Sequence, residues 1–375
     1  MDETEIAAFV ARTIERGELD ATTGEGLVQA FEQAWAKMMG GGHALALCNG
    51  TAALFTALLA AGAGPGDEVV CPPLAPPYAL APILHCGAKP VFADVDPRTL
   101  TIDPGAALAL AGPRTRAILA VDLFGHPADI ASLVQTAHAS GITVIEDCAQ
   151  ALGATCHGLP AGAKADFAVF SLHTTKNLPA GEGGVLWTRD RRLYERALVV
   201  GMHPVRLARE ISDRTLRRYL DTGRGYNFRP HPLGIALALA RLKSFPADFE
   251  RRQKAGRYLD EKISQIPGLE PAFVAPGCTH AYNLHPVFYH GQPRGAGSLD
   301  DYVRRLRKAG LDADVLWPLA YDLPLFQEKG FPPPHCPAAE NLESTVFFFG
   351  WGGYTGASHD DLERVARLLA AALQS

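Results

Sequence analysis

The reactive group that the sequence singles out first is a lysine between two apolar strands. Residues 166–171 form one apolar run, Lys176 follows it closely, and the glycine-rich residues 181–184 lead into the next run. Most lysines are solvated, but burial at a strand end lowers the pKa of the amine and makes it a nucleophile. The pattern favours a lysine that forms a Schiff base.

Two carboxylates, Glu146 and Asp147, follow another apolar run at residues 142–145. Ligands of open α/β sheets collect at the carboxyl ends of the strands, which makes Asp147 a candidate for chemistry. A turn or capping role for Asp147 fits the local sequence equally well.

A third candidate lies at Gly50 and Thr51, where the apolar residues 44–48 run almost directly into a helical pattern. Free amides, the positive end of the helix dipole and a hydroxyl together bind anions. A plain helix cap remains the alternative. No strand is followed by a Walker A or G-x-G-x-x-G motif, so a bound phosphate would not belong to a P-loop nucleotide or a dinucleotide.

In combination, these features match the needs of pyridoxal 5′-phosphate (PLP). The cofactor requires an amine for its aldehyde, an acid for its pyridinium nitrogen and an anion site for its phosphate. Each feature is weak alone, but the ordered set favours a PLP enzyme.

The elements that must position these groups alternate between short apolar runs and helical patterns. Strands alternating with helices predict an α/β fold with a mostly parallel sheet. The helix at residues 52–61 is apolar nearly all round, so we expect it to be buried. The predicted strands are residues 44–48, 68–71, 89–95, 116–123, 143–147, 166–171 and 185–188.

A change of composition past Arg241 predicts a second domain. Residues 248–264 are rich in charged helix formers, and shorter strand and turn signals follow them. We therefore expect a large domain at residues 1–240 and a smaller C-terminal α+β domain at residues 241–375.

Composition excludes several classes of protein. With 375 residues, 47% hydrophobic residues and a net charge of -5, the chain is neither disordered nor suited to nucleic acid. The seven cysteines are scattered without a C-x-x-C pair, which argues against a disulfide framework and a cysteine zinc site. No basic and apolar leader opens the sequence, and no uncharged apolar run reaches about 18 residues. We expect a soluble, cytoplasmic protein that contacts no membrane.

The chain also resembles a known family, the nucleotide-sugar and cyclitol aminotransferases of the aspartate-aminotransferase type (fold type I). The order and spacing of the matching pieces make chance similarity a poor explanation. The resemblance runs through residues 23–26, 31–32, 43–44, 50–51, 64–68, 87–90, 124–129, 146–154, 171–184 and 225–229.

The resemblance implies a role for each matching residue. Lys176 would form the Schiff base with PLP and later move a proton between Cα and C4′. Asp147 would pair with the pyridinium nitrogen, and Gln150 would contact the ring hydroxyl.

The phosphate would be held by Gly50, Thr51 and Ser171. Asn227 would reach into the phosphate site of a neighbouring subunit, which implies a homodimer with shared active sites. Arg229 lies in the same motif as Asn227, where either a substrate contact or no site role fits. His173 would either line the site for substrate or serve as a packed or capping residue.

Two departures from the family concern the walls of the site. The family places an aromatic residue against the cofactor ring at the position of Pro76. Tyr78 would cover the ring instead if residues 76–78 are extended, or another side chain would do so. Residues 230–234 also differ from the family's polar pattern, which implies a remodelled substrate side.

The implied function is transamination between an amino donor and a small keto substrate. L-glutamate or L-glutamine would leave the cofactor as pyridoxamine 5′-phosphate, which would then aminate a sugar nucleotide, deoxysugar or cyclitol. A PLP-dependent sugar dehydratase is a rival, although a histidine replaces the lysine in that branch. A non-catalytic member with a regulatory or assembly role is a second rival, favoured by Pro76 and Pro230.

Overall fold

The computed structural model describes residues 2–291, 297–331, 334–350 and 356–374. The helices are α1 Glu3–Glu15, α2 Leu27–Met38, α3 Gly50–Ala61, α4 Pro77–His85, α5 Pro104–Leu110, α6 Ile130–Ala139, α7 Arg191–Gly201, α8 Pro204–Glu210, α9 Pro232–Leu242, α10 Phe245–Ile263, α11 Leu299–Lys308, α12 Pro324–Gln327, α13 Pro337–Leu342 and α14 His359–Gln374. The strands are β1 His43–Leu47, β2 Glu68–Cys71, β3 Lys89–Phe92, β4 Thr115–Val121, β5 Thr143–Asp147, β6 Thr155–Cys156, β7 Leu159–Pro160, β8 Phe167–Ser171, β9 Gly184–Thr188, β10 Leu269–Pro271, β11 His285–Tyr289, β12 Ala313–Val315 and β13 Val346–Phe349.

A seven-stranded sheet with the order β1-β9-β8-β5-β4-β2-β3 forms the centre of the molecule. Only β9 runs antiparallel to its neighbours, so the carboxyl ends of the other six strands meet at one edge. The predicted α/β class with a mostly parallel sheet is confirmed. Each predicted strand belongs to this sheet, although the third ends at Phe92, and Val95 instead pairs with Ile102 in an isolated bridge.

The predicted burial of the apolar helix is also confirmed. All residues of α3 except Thr51 are buried, since this helix packs against β8, β9, α4 and α7. Gly62 ends the helix with a left-handed φ of 92°, a conformation that costs glycine little. Because α3 begins directly after β1, its amino end lies at the carboxyl edge of the sheet.

A second, antiparallel sheet follows in the order β10-β11-β13-β12. It packs against α10, α11 and α14 around its own apolar cluster, which includes Leu259, Tyr302, Phe347 and Leu369. The division of the chain into domains at residue 240 stays a prediction. Among the helices of the described ranges, none has the length and apolar character needed to cross a membrane.

Candidate active site

A cleft of about 670 Å³ opens at the carboxyl edge of the central sheet. Its volume lies within the range of about 300–1,000 Å³ that is typical of small-molecule sites. Most of the predicted site residues line it, namely Gly50, Thr51, Tyr78, Asp147, Gln150, Ser171, His173 and Lys176.

Lys176 lies in the connection between β8 and β9, in a turn where its backbone N–H donates to the carbonyl of His173 at 2.9 Å. Burial lowers the pKa of its amine, and the charge of Asp147 partly opposes this effect. The connection is held firmly, because Asn283 Nδ2 donates to the carbonyl of Thr175 at 2.7 Å. A lysine with a lowered pKa therefore faces the cleft from a fixed backbone.

Asp147 ends β5 and is 4% exposed. The Ala149 N–H donates to its Oδ1 at 3.0 Å. Burial raises the pKa of Asp147 to about 6, against the opposing effects of the Ala149 N–H and the Lys176 charge. The cleft thus contains a carboxylate whose charged form is stabilised by a cation placed against it.

The neighbouring carboxylate faces the other side of the sheet, because side chains alternate along a strand. Glu146 lies with Asp122 and Cys148, and the potential ligand atoms of these three residues are within 4.8 Å of one another. Burial raises the pKa of Glu146 to about 7 and that of Asp122 well above its usual range, where the charge of Glu146 adds to the effect. Of the two carboxylates that end β5, Asp147 alone lines the cleft.

The amino end of α3 forms an anion cradle. Asn49 caps the helix by accepting the Ala52 N–H at 2.7 Å. The amides of Gly50 and Thr51 have no intrahelical acceptor, because they belong to the first turn. Ser171 adds a hydroxyl at the end of β8, and a Cβ at Gly50 would lie 3.1 Å from Ser171 Cβ. Glycine at position 50 permits this close approach.

Gly184 allows the strands beneath the cradle to meet. A Cβ at this position would lie 2.2 Å from the carbonyl oxygen of Asn49, closer than nonbonded atoms can approach. Gly184 pairs with Leu47 on one side and with Ser171 on the other. The glycine-rich turn of the sequence therefore serves to bring the cradle and the lysine connection together.

Gln150 is positioned by a strained residue. The backbone N–H of Phe124 donates to Gln150 Oε1, which leaves the amide nitrogen as the available donor of this side chain. Phe124 has a φ of 61°, an unusual conformation for a bulky residue. Its ring stacks on Trp317 at a centroid distance of 5.8 Å, and Trp317 lines the cleft.

The outer wall differs from the expected extended segment. Residue Pro77 begins α4, since proline suits the first position of a helix, and residues 76–78 are therefore not a continuous strand. Pro76 and Tyr78 both line the cleft, with Tyr78 at its rim and 75% exposed.

His173 lies beside other polar groups of the cleft. Its Nδ1 is 3.0 Å from Thr175 Oγ1, and its Nε2 is 3.9 Å from a carboxylate oxygen of Glu182. Asn227 and Arg229 do not line the cleft within the described part of this chain, where Asn227 is exposed and Arg229 is half-buried. Their segment is fixed beside the cradle because the Cys48 N–H donates to the carbonyl of Phe228 at 2.8 Å.

A comparison of the sequence with known protein families is consistent with the geometry of the cleft. Residues 1–370 match the DegT/DnrJ/EryC1/StrS aminotransferase family. The chain belongs to this family. It is therefore an aminotransferase, as the sequence predicts, and the family is PLP-dependent.

Individual relatives of the aminotransferase include proteins of polysaccharide and sugar metabolism. The spore coat polysaccharide biosynthesis protein SpsC of Bacillus subtilis is 39% identical over 267 residues, which cover 69% of this chain and 67% of the relative. GDP-perosamine synthase of Caulobacter vibrioides is 36% identical over 236 residues, which cover 63% of this chain and 62% of that protein. These alignments span about two thirds of each relative or less.

A solved structure supports the whole fold of the aminotransferase. DesV of S. venezuelae, in complex with a ketimine intermediate, has a TM-score of 0.85 and 28% sequence identity. The superposition covers 99% of this chain and 95% of DesV.

The cleft of the aminotransferase fits the cofactor of its family. A buried carboxylate, an amine with a lowered pKa and a cradle of free amides and a hydroxyl match a pyridinium, an aldehyde and a phosphate in chemical type. Glycine at position 50 allows the first turn of α3 to lie close to Ser171, where the amides and the hydroxyl can contact one anion.

Several cleft residues escaped the sequence analysis. Trp317 follows β12 in the second sheet, and no local pattern connects it to the strand ends. Thr175 and Glu182 were detectable in principle, because they flank Lys176 within the same connection. Phe124, which supports Gln150 from outside the cleft lining, lies in the segment 124–129 that carries the family resemblance, but its positive φ cannot be inferred from its residue type.

Proposed function

We propose that this aminotransferase binds PLP in the cleft and transfers an amino group from L-glutamate or L-glutamine to a keto group of a sugar nucleotide, deoxysugar or cyclitol. The observation that carries the proposal is that Lys176 and Asp147 face one cleft beside the anion cradle of α3. When bound, the cofactor supplies an aldehyde and an electron-withdrawing ring.

Lys176 Nζ is the group that moves protons in this proposal. Burial lowers its pKa, so a larger fraction of the amine is neutral and able to accept a proton than for an exposed lysine. Asn283, through its bond to the Thr175 carbonyl, fixes the backbone of the residue that precedes Lys176. Asp147 holds a negative charge at the end of β5 and so stabilises positive charge placed there.

In this proposal the phosphate is bound by neutral hydrogen-bond donors and by the positive end of a helix dipole. An anion would be bound here by the free amides of Gly50 and Thr51 and by the hydroxyl of Ser171, and no basic side chain would be required. Gln150 offers its amide nitrogen to the ring, because its oxygen is occupied by the Phe124 N–H.

The substrate class rests on the relatives and on the shape of the cleft. SpsC and GDP-perosamine synthase bear names that refer to sugar metabolism. The rim combines aromatic and polar side chains, a mixture suited to hydroxylated rings, and includes Tyr78, His173, Glu182 and Trp317.

The active unit that we propose is a homodimer. This proposal is supported by the exposure of Asn227, which leaves its side chain accessible to a second chain. We expect that mixing an inactive Lys176→Ala chain with an Asn227→Ala chain restores activity, because each hybrid dimer contains one intact site. Subunit exchange is verified with tagged chains. Absence of rescue despite exchange would place Asn227 outside the neighbour's site.

The decisive experiment for the function follows the cofactor absorbance of the purified protein before and after each amino donor. We expect L-glutamate or L-glutamine to change the spectrum, and a keto sugar added next to restore it, with the aminated product identified by mass spectrometry. Lys176→Ala is the control that must give no turnover. A bound cofactor that responds to no donor would favour the non-catalytic alternative.

A further inference from the structure

Two cysteines lie opposite each other between the β6–β7 hairpin and the segment that precedes β11. Cys156 and Cys278 form an isolated antiparallel bridge. Two backbone hydrogen bonds flank this pair, at 2.7 Å from His157 N–H to Gly277 O and at 2.8 Å from Thr279 N–H to Thr155 O. In this arrangement the two cysteines are a non-hydrogen-bonded pair, for which the Cα atoms are about 4.5 Å apart.

Such a pair meets the spatial requirement of a disulfide. Disulfides join Cα atoms about 4.4–6.8 Å apart, with side chains on the same face of the ladder. Both thiols are free and half-exposed, and the side chain of Cys156 is in hydrogen-bonding contact with that of Cys278. Burial, followed by this contact, raises the pKa of Cys278 to about 12, which makes Cys278 a slow nucleophile near neutral pH.

We propose that Cys156 and Cys278 are a reversible modification site that forms an intramolecular disulfide on reaction with a low-molecular-weight disulfide. The thiolate of one cysteine attacks the small disulfide, whose sulfur–sulfur bond breaks and releases one small thiol. The second cysteine, after losing its proton, attacks the mixed disulfide and releases the other small thiol. The protein loses two electrons and two protons, and the small disulfide is reduced to two thiols.

The disulfide would join the β6–β7 hairpin to a segment that supports the connection between β8 and β9, in which Lys176 lies. Ala281 N–H in this segment donates to the Gly125 carbonyl at 2.7 Å, and Asn177 Nδ2 donates to the Ala281 carbonyl at 3.2 Å. A cross-link at Cys278 would therefore restrain residues that lie next to the Lys176 connection. The disulfide would also close a long loop of the chain, which stabilises the folded state relative to the unfolded state.

The other cysteines provide the comparison. Cys71 and Cys336 also lie near each other, but both are buried. Cys48 is half-exposed like the proposed pair and is the matched control for accessibility.

The test treats the folded protein with oxidised glutathione, blocks the remaining thiols and maps the peptides by mass spectrometry. We expect a linked Cys156–Cys278 peptide, loss of two of the seven titratable thiols and full reversal by dithiothreitol. The oxidised protein should unfold about 5 °C higher than the reduced protein. Cys48→Ser should form the same link, and Cys156→Ser should not.

Three results would overturn the proposal. These are persistent glutathione adducts without a linked peptide, a link between two different chains, or an unchanged loss of two thiols in Cys156→Ser. The readout does not depend on turnover, so it stands apart from the proposed transamination.

Discussion

The floor of the cleft and its outer rim are built in different ways. On the floor, Asp147 is 4% exposed at the end of β5, and Lys176 lies in a connection that Asn283 holds. At the rim, Tyr78 is 75% exposed, and Trp317 arrives from the second sheet. The candidate reacting groups thus lie at a strand end and in a hydrogen-bonded connection, whereas the rim is formed by an exposed side chain and by one from a distant segment.

The two regions also differ in the forces that hold them. The floor is fixed by directional contacts from the backbone, such as the 3.0 Å bond from the Ala149 N–H to Asp147 Oδ1. The rim is held by ring packing, such as that of Trp317 on Phe124 and Phe348. Loss of a charge on the floor should therefore cost far more than loss of one ring at the rim.

The largest effect is expected for Asp147→Asn. The amide keeps the shape of the side chain but cannot stabilise a protonated ring nitrogen as a carboxylate does, so turnover should fall on the order of 10²-fold or more with PLP retained. Steady-state kinetics and cofactor absorbance measure the two effects separately.

Glu146→Gln is the matched control on the opposite face of β5. Because one member of the buried Asp122–Glu146 pair is expected to be protonated, a neutral glutamine should be tolerated and turnover should stay within a few-fold of the parent. Equal losses in the two variants would remove the distinction between the faces of the strand.

A smaller effect is expected from pH. The pKa of Asp147 is raised from 3.8 to about 6, so the Asp147 side chain loses its negative charge as the pH falls through that value in the cofactor-free protein. The contribution of Asp147 to PLP affinity should therefore be lost as the pH falls through about 6, by up to about tenfold for each unit. Asp147→Asn should lose this component and keep the titrations of the Lys176 amine and of the cofactor itself, as fluorescence titration can show. The same pH profile in the parent protein and in Asp147→Asn would contradict the assignment of this pH dependence to Asp147.

The smallest effects belong to the rim. An aromatic contact contributes about 0.5–1.5 kcal/mol beyond its buried area, so Tyr78→Ala should speed PLP release about threefold to tenfold if Tyr78 covers the ring. Trp317→Ala is the parallel variant, and Pro76→Phe tests whether a ring at that position adds affinity. An unchanged release rate in Tyr78→Ala, together with faster release in Trp317→Ala, would transfer the role to Trp317.

Sequence patterns anticipated the floor better than the rim. The apolar runs predicted the strands of the central sheet, and the order of strand ends and helix starts brought Gly50, Asp147 and Lys176 to one edge. These signals are local, because each candidate lies within a few residues of the strand that carries it. The structure thus gathers the predicted residues in one cleft, while their catalytic roles stay predictions.

The rim depends on contacts between distant segments. Trp317 reaches the cleft because the second sheet packs beside it, and the Ala320 N–H donates to the Pro73 carbonyl at 2.9 Å. The helix that begins at Pro77 was missed because two consecutive prolines fit both an extended segment and a helix start. Asn227 lies outside the cleft of its own chain, so its position leaves the dimer a proposal.

The central claim is that Lys176 is the residue that bonds to the cofactor. Borohydride reduction of the PLP-loaded protein, followed by peptide mapping, tests it most directly, with the exposed Lys164 as an internal control. The account predicts the reduced adduct on Lys176 alone and its absence from Lys176→Ala. An adduct on another lysine, or no bound cofactor after reconstitution with PLP, would contradict it.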